Sequence, residues 1–398
     1  MKSWSARAAH TFTPNYRPAP LLFTRGDGVY LYSDEGQGYL DFAAGIAVCA
    51  LGHNSRRLSE AIAEQARSLL HVSNLYLNQP SIELAEALCA RSFADRVYFG
   101  NSGAEANEAA LKLARRYMRL IRGEDRWRFI CAEKSFHGRT WAAISATGQA
   151  KYHEGFAPLV PGFEHVPYND LSAVEAAIND ETCAVFVEPM QGEGGVIAPI
   201  PGYLEGLRAL CDQAGILLIF DEVQTGVGRT GAWFSHQLDG ATPDIMTLAK
   251  GLGGGVPIGA MLCTDEVAQG FAPGAHASTF GGNPLACRAG LTVLEVIEEE
   301  SLLDQVRQRG QQLEEALSAL VSAHSQLLDV RGRGLLRGIG CAASLDRARV
   351  VTEARERGLL ITTAGADALR LCPPLVIGEG HIREAMKILD EAIQASVD

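Results

Sequence analysis

Lysine is scarce in this chain. Of its 35 basic residues only six are lysine: Lys2, Lys112, Lys134, Lys151, Lys250 and Lys387. The nine cysteines form no CxxC pair and have no histidine companions, so neither a zinc site nor a disulfide framework is expected. Cys89, Cys183, Cys211 and Cys341 stand in apolar surroundings and read as small core residues. No run reaches the ~18 consecutive apolar residues of a membrane span. The opening Met1-Lys2-Ser3-Trp4-Ser5 leads into polar sequence without the apolar stretch of a secretory signal, which points to the cytoplasm. Positive charge is also short, with a formal net charge of −12 and no basic block, so nucleic acid is not the expected partner. Walker A, HExxH and nucleophile-elbow motifs are all absent, and no metal is expected.

What is there is the composition of a globular protein, 47% hydrophobic and 21% charged. A length of 398 residues exceeds one ordinary core and suggests two domains. Short apolar runs alternate with helical patterns, the mark of α/β architecture with a mainly parallel sheet. Val185-Phe186-Val187 and Leu217-Leu218-Ile219-Phe220 are compact runs of the kind buried in such a sheet. Between them Leu204, Leu207, Leu210 and Cys211 share one face of a helix over 203–214, which makes a right-handed βαβ unit. After Asn283-Pro284 the character changes. Long amphipathic helices over 284–299 and 302–323 precede short strands near 335–341 and 368–371, and a closing helix begins at Glu379. A large α/β domain over 50–282 is therefore expected, with a small α+β domain from 1–49 and 283–398. The runs Val29-Tyr30-Leu31-Tyr32 and Tyr39-Leu40-Asp41-Phe42 supply a meander to the latter.

Lys250 stands apart from the other lysines. It ends the apolar run Ile245-Met246-Thr247-Leu248-Ala249 and is followed by Gly251-Leu252-Gly253-Gly254-Gly255. Such a setting suits a lysine that snorkels to water at a strand end. It also suits a Schiff-base lysine, whose amine is desolvated and whose neighbouring backbone lets a bulky ligand approach, a reading that gains weight only from the neighbours. Asp221 ends the strand Leu217 to Phe220, at the carboxyl edge where α/β sheets bind ligands. Capping explains an aspartate there, and so does pairing with the protonated ring nitrogen of pyridoxal phosphate (PLP), with Gln224 near the ring's phenolate oxygen. Ser102 and Glu105 form a Ser-x-x-Glu box ahead of a helix whose start favours an anion such as phosphate. Phe136 suits stacking on a planar group, or simply a core; Arg139 suits a carboxylate, or a surface ion pair. His137, beside a glycine, reads as structural. Ser278 and Thr279 bring two hydroxyls to a polar turn before Asn283-Pro284.

Taken jointly, these segments resemble the class III, fold-type I, PLP-dependent aminotransferases, and among them the acetylornithine and succinylornithine aminotransferases. The blocks that carry the resemblance run in order along almost the whole chain: Asn101-Ser102-Gly103-Ala104-Glu105-Ala106-Asn107-Glu108, Phe136-His137-Gly138-Arg139-Thr140, Glu188-Pro189-Met190-Gln191-Gly192-Glu193-Gly194-Gly195, 221–231 and Ala249-Lys250-Gly251. The resemblance implies a covalent link from Lys250 to PLP, Asp221 on the ring nitrogen, Phe136 on the ring face and Gln224 at the phenolate oxygen. It further implies phosphate binding by Ser102, Gly103 and Ala104, with Glu222 and Val223 in the cofactor site. Thr279 would reach the phosphate in a neighbouring subunit, so a homodimer with shared sites is expected.

For the substrates, N-acetylornithine and the pair 2-oxoglutarate/glutamate, the resemblance implies Arg139, Glu193, Ser278, Arg370 and Tyr16. Arg139 would take the far carboxylate, and Arg370 the carboxylate beside the reacting carbon of glutamate. Glu193 would pair with Arg370 when acetylornithine is bound, since an uncompensated buried guanidinium is costly. The expected reaction moves the δ-amine of acetylornithine to 2-oxoglutarate, in arginine biosynthesis. Succinylornithine, ornithine or 4-aminobutyrate as donor, and an aminomutase of the same fold, remain open, because the acyl pocket is not legible in the residues.

Overall fold

The computed structural model describes residues 4–397; the Met1-Lys2-Ser3 start and Asp398 lie outside them. Its strands form three sheets. The first begins as an antiparallel meander of β1 (Phe23–Asp27), β2 (Tyr30–Ser33) and β3 (Gly38–Asp41). Gly28 turns β1 into β2 at φ 56°, a conformation that favours glycine, and exchanges backbone hydrogen bonds with His53.

The central sheet contains β4 (Arg96–Gly100), β5 (Arg128–Ala132), β6 (Phe163–Val166), β7 (Thr182–Val187), β8 (Leu217–Asp221), β9 (Ile245–Leu248) and β10 (Gly259–Cys263). Their order is β4-β10-β9-β8-β7-β5-β6, and only β10 runs against its neighbours. Every residue of β7, β8, β9 and β10 is buried, which explains why these strands read as unbroken apolar runs rather than alternating ones. The expected βαβ unit is β7, the helix Tyr203–Ala214 and β8, with β7 and β8 paired in parallel. Leu204, Leu207 and Cys211 face the core; each fully buried leucine contributes about 1.5–3 kcal/mol relative to an exposed one.

The third sheet is built from β11 (Leu327–Arg333), β12 (Leu336–Cys341), β14 (Thr362–Ala364) and β15 (Ala368–Leu371), in the antiparallel order β11-β12-β15-β14. The two-residue strand β13 (Leu359–Leu360) leaves this sheet and pairs in parallel with β3, which joins the N-terminal meander to the C-terminal region. Helices Pro284–Glu299, Leu302–Ala323 and Glu379–Val397 lie where the periodicity put them. Asn283 caps the first, accepting from Ala286 N at 2.9 Å, and Pro284 occupies a position where a missing N–H costs nothing. That helix packs on helices Arg56–Ser68 and Gln79–Cys89 and on the turn that begins at Lys250. Its two main helical partners therefore lie in the first quarter of the chain.

One local reading needs correction. Cys89 is half-buried rather than core, because it ends the helix Gln79–Cys89 near the charged Asp95 and Arg96; Cys183, Cys211 and Cys341 are buried. At the start of the described residues Trp4–Thr11 is helical, and none of its residues is buried. Among the described residues no helix is long and apolar enough to cross a membrane.

Candidate active site

Strand polarity determines where the site forms. β4, β5, β7, β8 and β9 all point one way, so their carboxyl ends deliver Asn101-Ser102, the Phe136 loop, Glu188, Asp221 and Lys250 to one edge of the sheet. They surround a cavity of about 430 Å³. Of the residues singled out in the sequence, Lys250, Asp221, Ser102, Gly103, Ala104, Phe136, Arg139, Glu193, Val223 and Gln224 line it. Arg370 stands behind Glu193, to which it is paired. Glu222 points elsewhere: its carboxylate is buried against Thr225 Oγ1, Ser235 N and the His236 backbone and ring.

Lys250 leaves β9 in a left-handed conformation, φ 44°, at the start of a tight turn over Lys250–Gly253. A non-glycine residue held there costs of order 1–3 kcal/mol, so the surrounding structure imposes it. Burial pushes its amine below the ordinary lysine value. Glu193 opposes that, Arg370 adds to it, and Asp221 and Glu188 oppose it more weakly.

Asp221 is the centre of a buried network. Its Oδ2 accepts from Asn107 Nδ2 at 2.8 Å and from His137 Nδ1 at 2.8 Å, and its Oδ1 accepts from Val223 N at 3.0 Å. Asn107 is itself fixed, donating also to His137 O at 2.7 Å and accepting from Thr247 Oγ1 at 2.6 Å. The His137 ring stacks on Phe186 with centroids 4.0 Å apart. His137 therefore is structural in a specific sense: it orients the carboxylate at the strand tip. Asn107 was not singled out, although a polar residue on the inward, alanine-rich face of its helix was a signal.

Ser102 caps the helix Gly103–Arg116, accepting from Glu105 N at 3.2 Å. Glu105 reaches back to Asn101 N, one residue short of the reciprocal box. A Cβ added to Gly103 would lie 2.8 Å from Val223 Cγ1, so a glycine is needed for this helix start to sit against the cavity floor.

A second charged group flanks the lysine. Arg370 donates through Nη1 to Glu193 and, at 3.1 Å, to Gln224 Oε1, and through Nε to Thr362 Oγ1 at 3.1 Å. Burial raises the Glu193 carboxyl, but the charges of Arg370 and Lys250 outweigh it and hold the group below the usual carboxylate range. Glu188, also missed, lines the cavity and accepts from Phe136 N and Gly192 N at 3.0 Å each. Arg139 is exposed at the mouth, its guanidinium 4.0 Å from the Tyr152 ring centroid.

The remaining residues do not meet the cavity within one chain. Ser278 accepts from Asn101 Nδ2 at 3.1 Å and from Gly281 N at 2.9 Å, and faces a neighbouring cleft. Thr279 is exposed, and Tyr16 is 81% exposed in the N-terminal segment.

A buried amine, a fixed carboxylate, an aromatic face and a helix start converge on one cavity, which matches the electrophile, ring nitrogen, ring plane and phosphate of PLP. Known proteins agree. The model of the aminotransferase class-III family matches residues 11–393. An acetylornithine aminotransferase from Gloeobacter violaceus is 52% identical over 376 residues, 94% of each chain. One from Caldanaerobacter subterraneus subsp. tengcongensis is 48% identical over 379 residues, 95% of this chain and 96% of that one. A solved ornithine aminotransferase from Toxoplasma gondii, with PLP at partial occupancy in its active site, superimposes with a TM-score of 0.95 at 34% identity, covering 99% of this chain and 94% of that one. Fold and site thus define a fold-type I, PLP-dependent transferase. More narrowly, the chain belongs to the class-III aminotransferases.

Proposed function

We propose that this enzyme transfers the δ-amino group of N2-acetyl-L-ornithine to 2-oxoglutarate, giving N-acetylglutamate 5-semialdehyde and glutamate. The observation that carries this reading is the pairing of Arg370 with Glu193 beside Lys250. A transaminase of α-amines alone needs the arginine free. One that alternates between a δ-amine and glutamate needs its charge covered half of the time. The names of the relatives point the same way.

PLP, when bound, supplies an electrophilic aldehyde and an electron-withdrawing ring. The side chains do the rest. Lys250 would hold the cofactor covalently and would supply the amine that moves a proton at the reacting carbon; its lowered basicity suits both tasks. Asp221, held by Asn107 and His137, would pair with the ring nitrogen and favour its protonated form. Phe136 would cover one ring face, Gln224 would meet the phenolate oxygen, and the helix start at Ser102-Gly103-Ala104 would receive the phosphate, with Val223 packed against Gly103. Glu222 acts at one remove, fixing Thr225 and the 235–236 backbone. Arg139 takes the far carboxylate of either substrate, and Ser278 and Tyr16 border the substrate tail.

We assign the working unit as a cytoplasmic homodimer acting in arginine biosynthesis, with Thr279 of each subunit reaching the phosphate in the other. Support comes from the exposure of Thr279 and of the apolar Leu75, Tyr76, Leu77 and Phe280, which are 80%, 72%, 88% and 61% exposed. A solution mass of about 43 kDa, that of one chain, would contradict the dimer. For the substrate, kcat/KM with 2-oxoglutarate should be highest for acetylornithine in a panel with succinylornithine, ornithine and 4-aminobutyrate. A higher value for any of the others would overturn the assignment, and turnover without 2-oxoglutarate would indicate an aminomutase.

A further inference from the structure

We propose that Thr362 is the positioning residue that keeps Arg370 aimed when Glu193 lets go. This inference rests on the reading of Arg370 as the partner of glutamate's near carboxylate. Thr362 and Arg370 are direct partners across the antiparallel pair β14–β15, so their side chains share one face. On the other flank Arg370 is opposite Gly338, which has no side chain to hold it. Thr362 Oγ1 accepts from Nε at 3.1 Å, the nitrogen nearest the backbone, and thereby sets the direction of the whole guanidinium plane.

The two halves of the ion pair differ in freedom. The Arg370 side chain is 2% exposed and that of Glu193 is 21% exposed, so only the glutamate has a way out towards solvent. Its backbone does not follow, because Glu193 O accepts from Gly365 N at 2.8 Å, and Gly365 lies just beyond β14. The strand that carries Thr362 thus leads directly into the turn that fixes the Glu193 backbone. Once Glu193 rotates away, Arg370 retains two neutral acceptors, Thr362 Oγ1 on Nε and Gln224 Oε1 on Nη1. The guanidinium then meets an incoming carboxylate without first having to reorient. With acetylornithine bound, Glu193 supplies a charged tether and Thr362 is dispensable.

The test compares single-turnover half-reactions of the holoenzyme with glutamate and with N-acetylornithine. Thr362→Val, nearly isosteric, is expected to raise the half-saturating glutamate concentration about tenfold, as loss of one hydrogen bond to a charged group implies. The acetylornithine half-reaction is expected to change less than twofold, and Thr362→Ser is expected to restore glutamate binding. Equal effects on both half-reactions, or no effect on glutamate, would overturn the proposal. Arg370→Lys separates the two levels. If it spares the glutamate half-reaction, the reading of Arg370 is wrong; if it damages that step while Thr362→Val does not, only the role of Thr362 fails.

Discussion

His137 Nδ1 and Asp221 Oδ2 stand 2.8 Å apart in a fully buried contact, with the imidazole stacked on Phe186. The carboxylate can rotate neither away from this donor nor away from Asn107 without stranding a buried polar group. Its orientation at the tip of β8 is therefore fixed before any ligand arrives, which is the condition for electrostatic preorganisation.

His137→Phe should preserve the stacking and remove the hydrogen bond. Loss of one buried bond to a charged group, about 1.5–3 kcal/mol, implies a fall in transamination rate of roughly 10–100-fold. Single-turnover rates, with circular dichroism to establish that the fold is retained, would check it. A wild-type rate would show that His137 does not position Asp221.

Glu188 gives a pH-dependent prediction. Burial pushes its carboxyl up to about 7; His137 and the Gly192 and Phe136 N–H groups oppose that, while Asp221 reinforces it. Unfolded, the group titrates near 4.5. Between those values the folded chain keeps a proton that the unfolded chain has released, so this residue's contribution to stability falls as pH rises from about 4.5 to about 7 and then levels off. Glu188→Gln should remove that slope. Thermal midpoints of variant and wild type would diverge across the window, whereas a constant difference from pH 5 to pH 8 would contradict the assignment.

How much of this was legible in the chain depends on distance along it. Lys250 with its glycines, Asp221 at the end of an apolar run and the Ser102 cap declare themselves locally, because each depends on neighbours within a few residues. The helices 284–299 and 302–323 were legible for the same reason, since capping and periodicity are local. His137 and Asn107 were not, for their partner Asp221 lies 84 and 114 positions away, and only the order of strands in the sheet brings them together. Arg370 and Glu193, 177 positions apart, were linked through family resemblance and not by any spacing. Thr362 was invisible because its role depends on cross-strand register.

Arg139→Ala should raise KM for acetylornithine and for glutamate alike, by about 10–100-fold, if its guanidinium takes the far carboxylate of both substrates. Steady-state kinetics with each substrate varied would detect it. An effect confined to one substrate would assign the two carboxylates differently.

Glu193→Ala should affect the two half-reactions unequally. Acetylornithine turnover loses the charge that covers Arg370, while glutamate finds that arginine already free. Stopped-flow spectra of each half-reaction would resolve the two. Equal changes would remove the switch from the account.

The most direct test is the visible absorption spectrum of Lys250→Ala purified with PLP. Loss of the band of lysine-bound cofactor, together with nearly all transamination, is the expected result. A variant that keeps both the band and full turnover would contradict the assignment of Lys250.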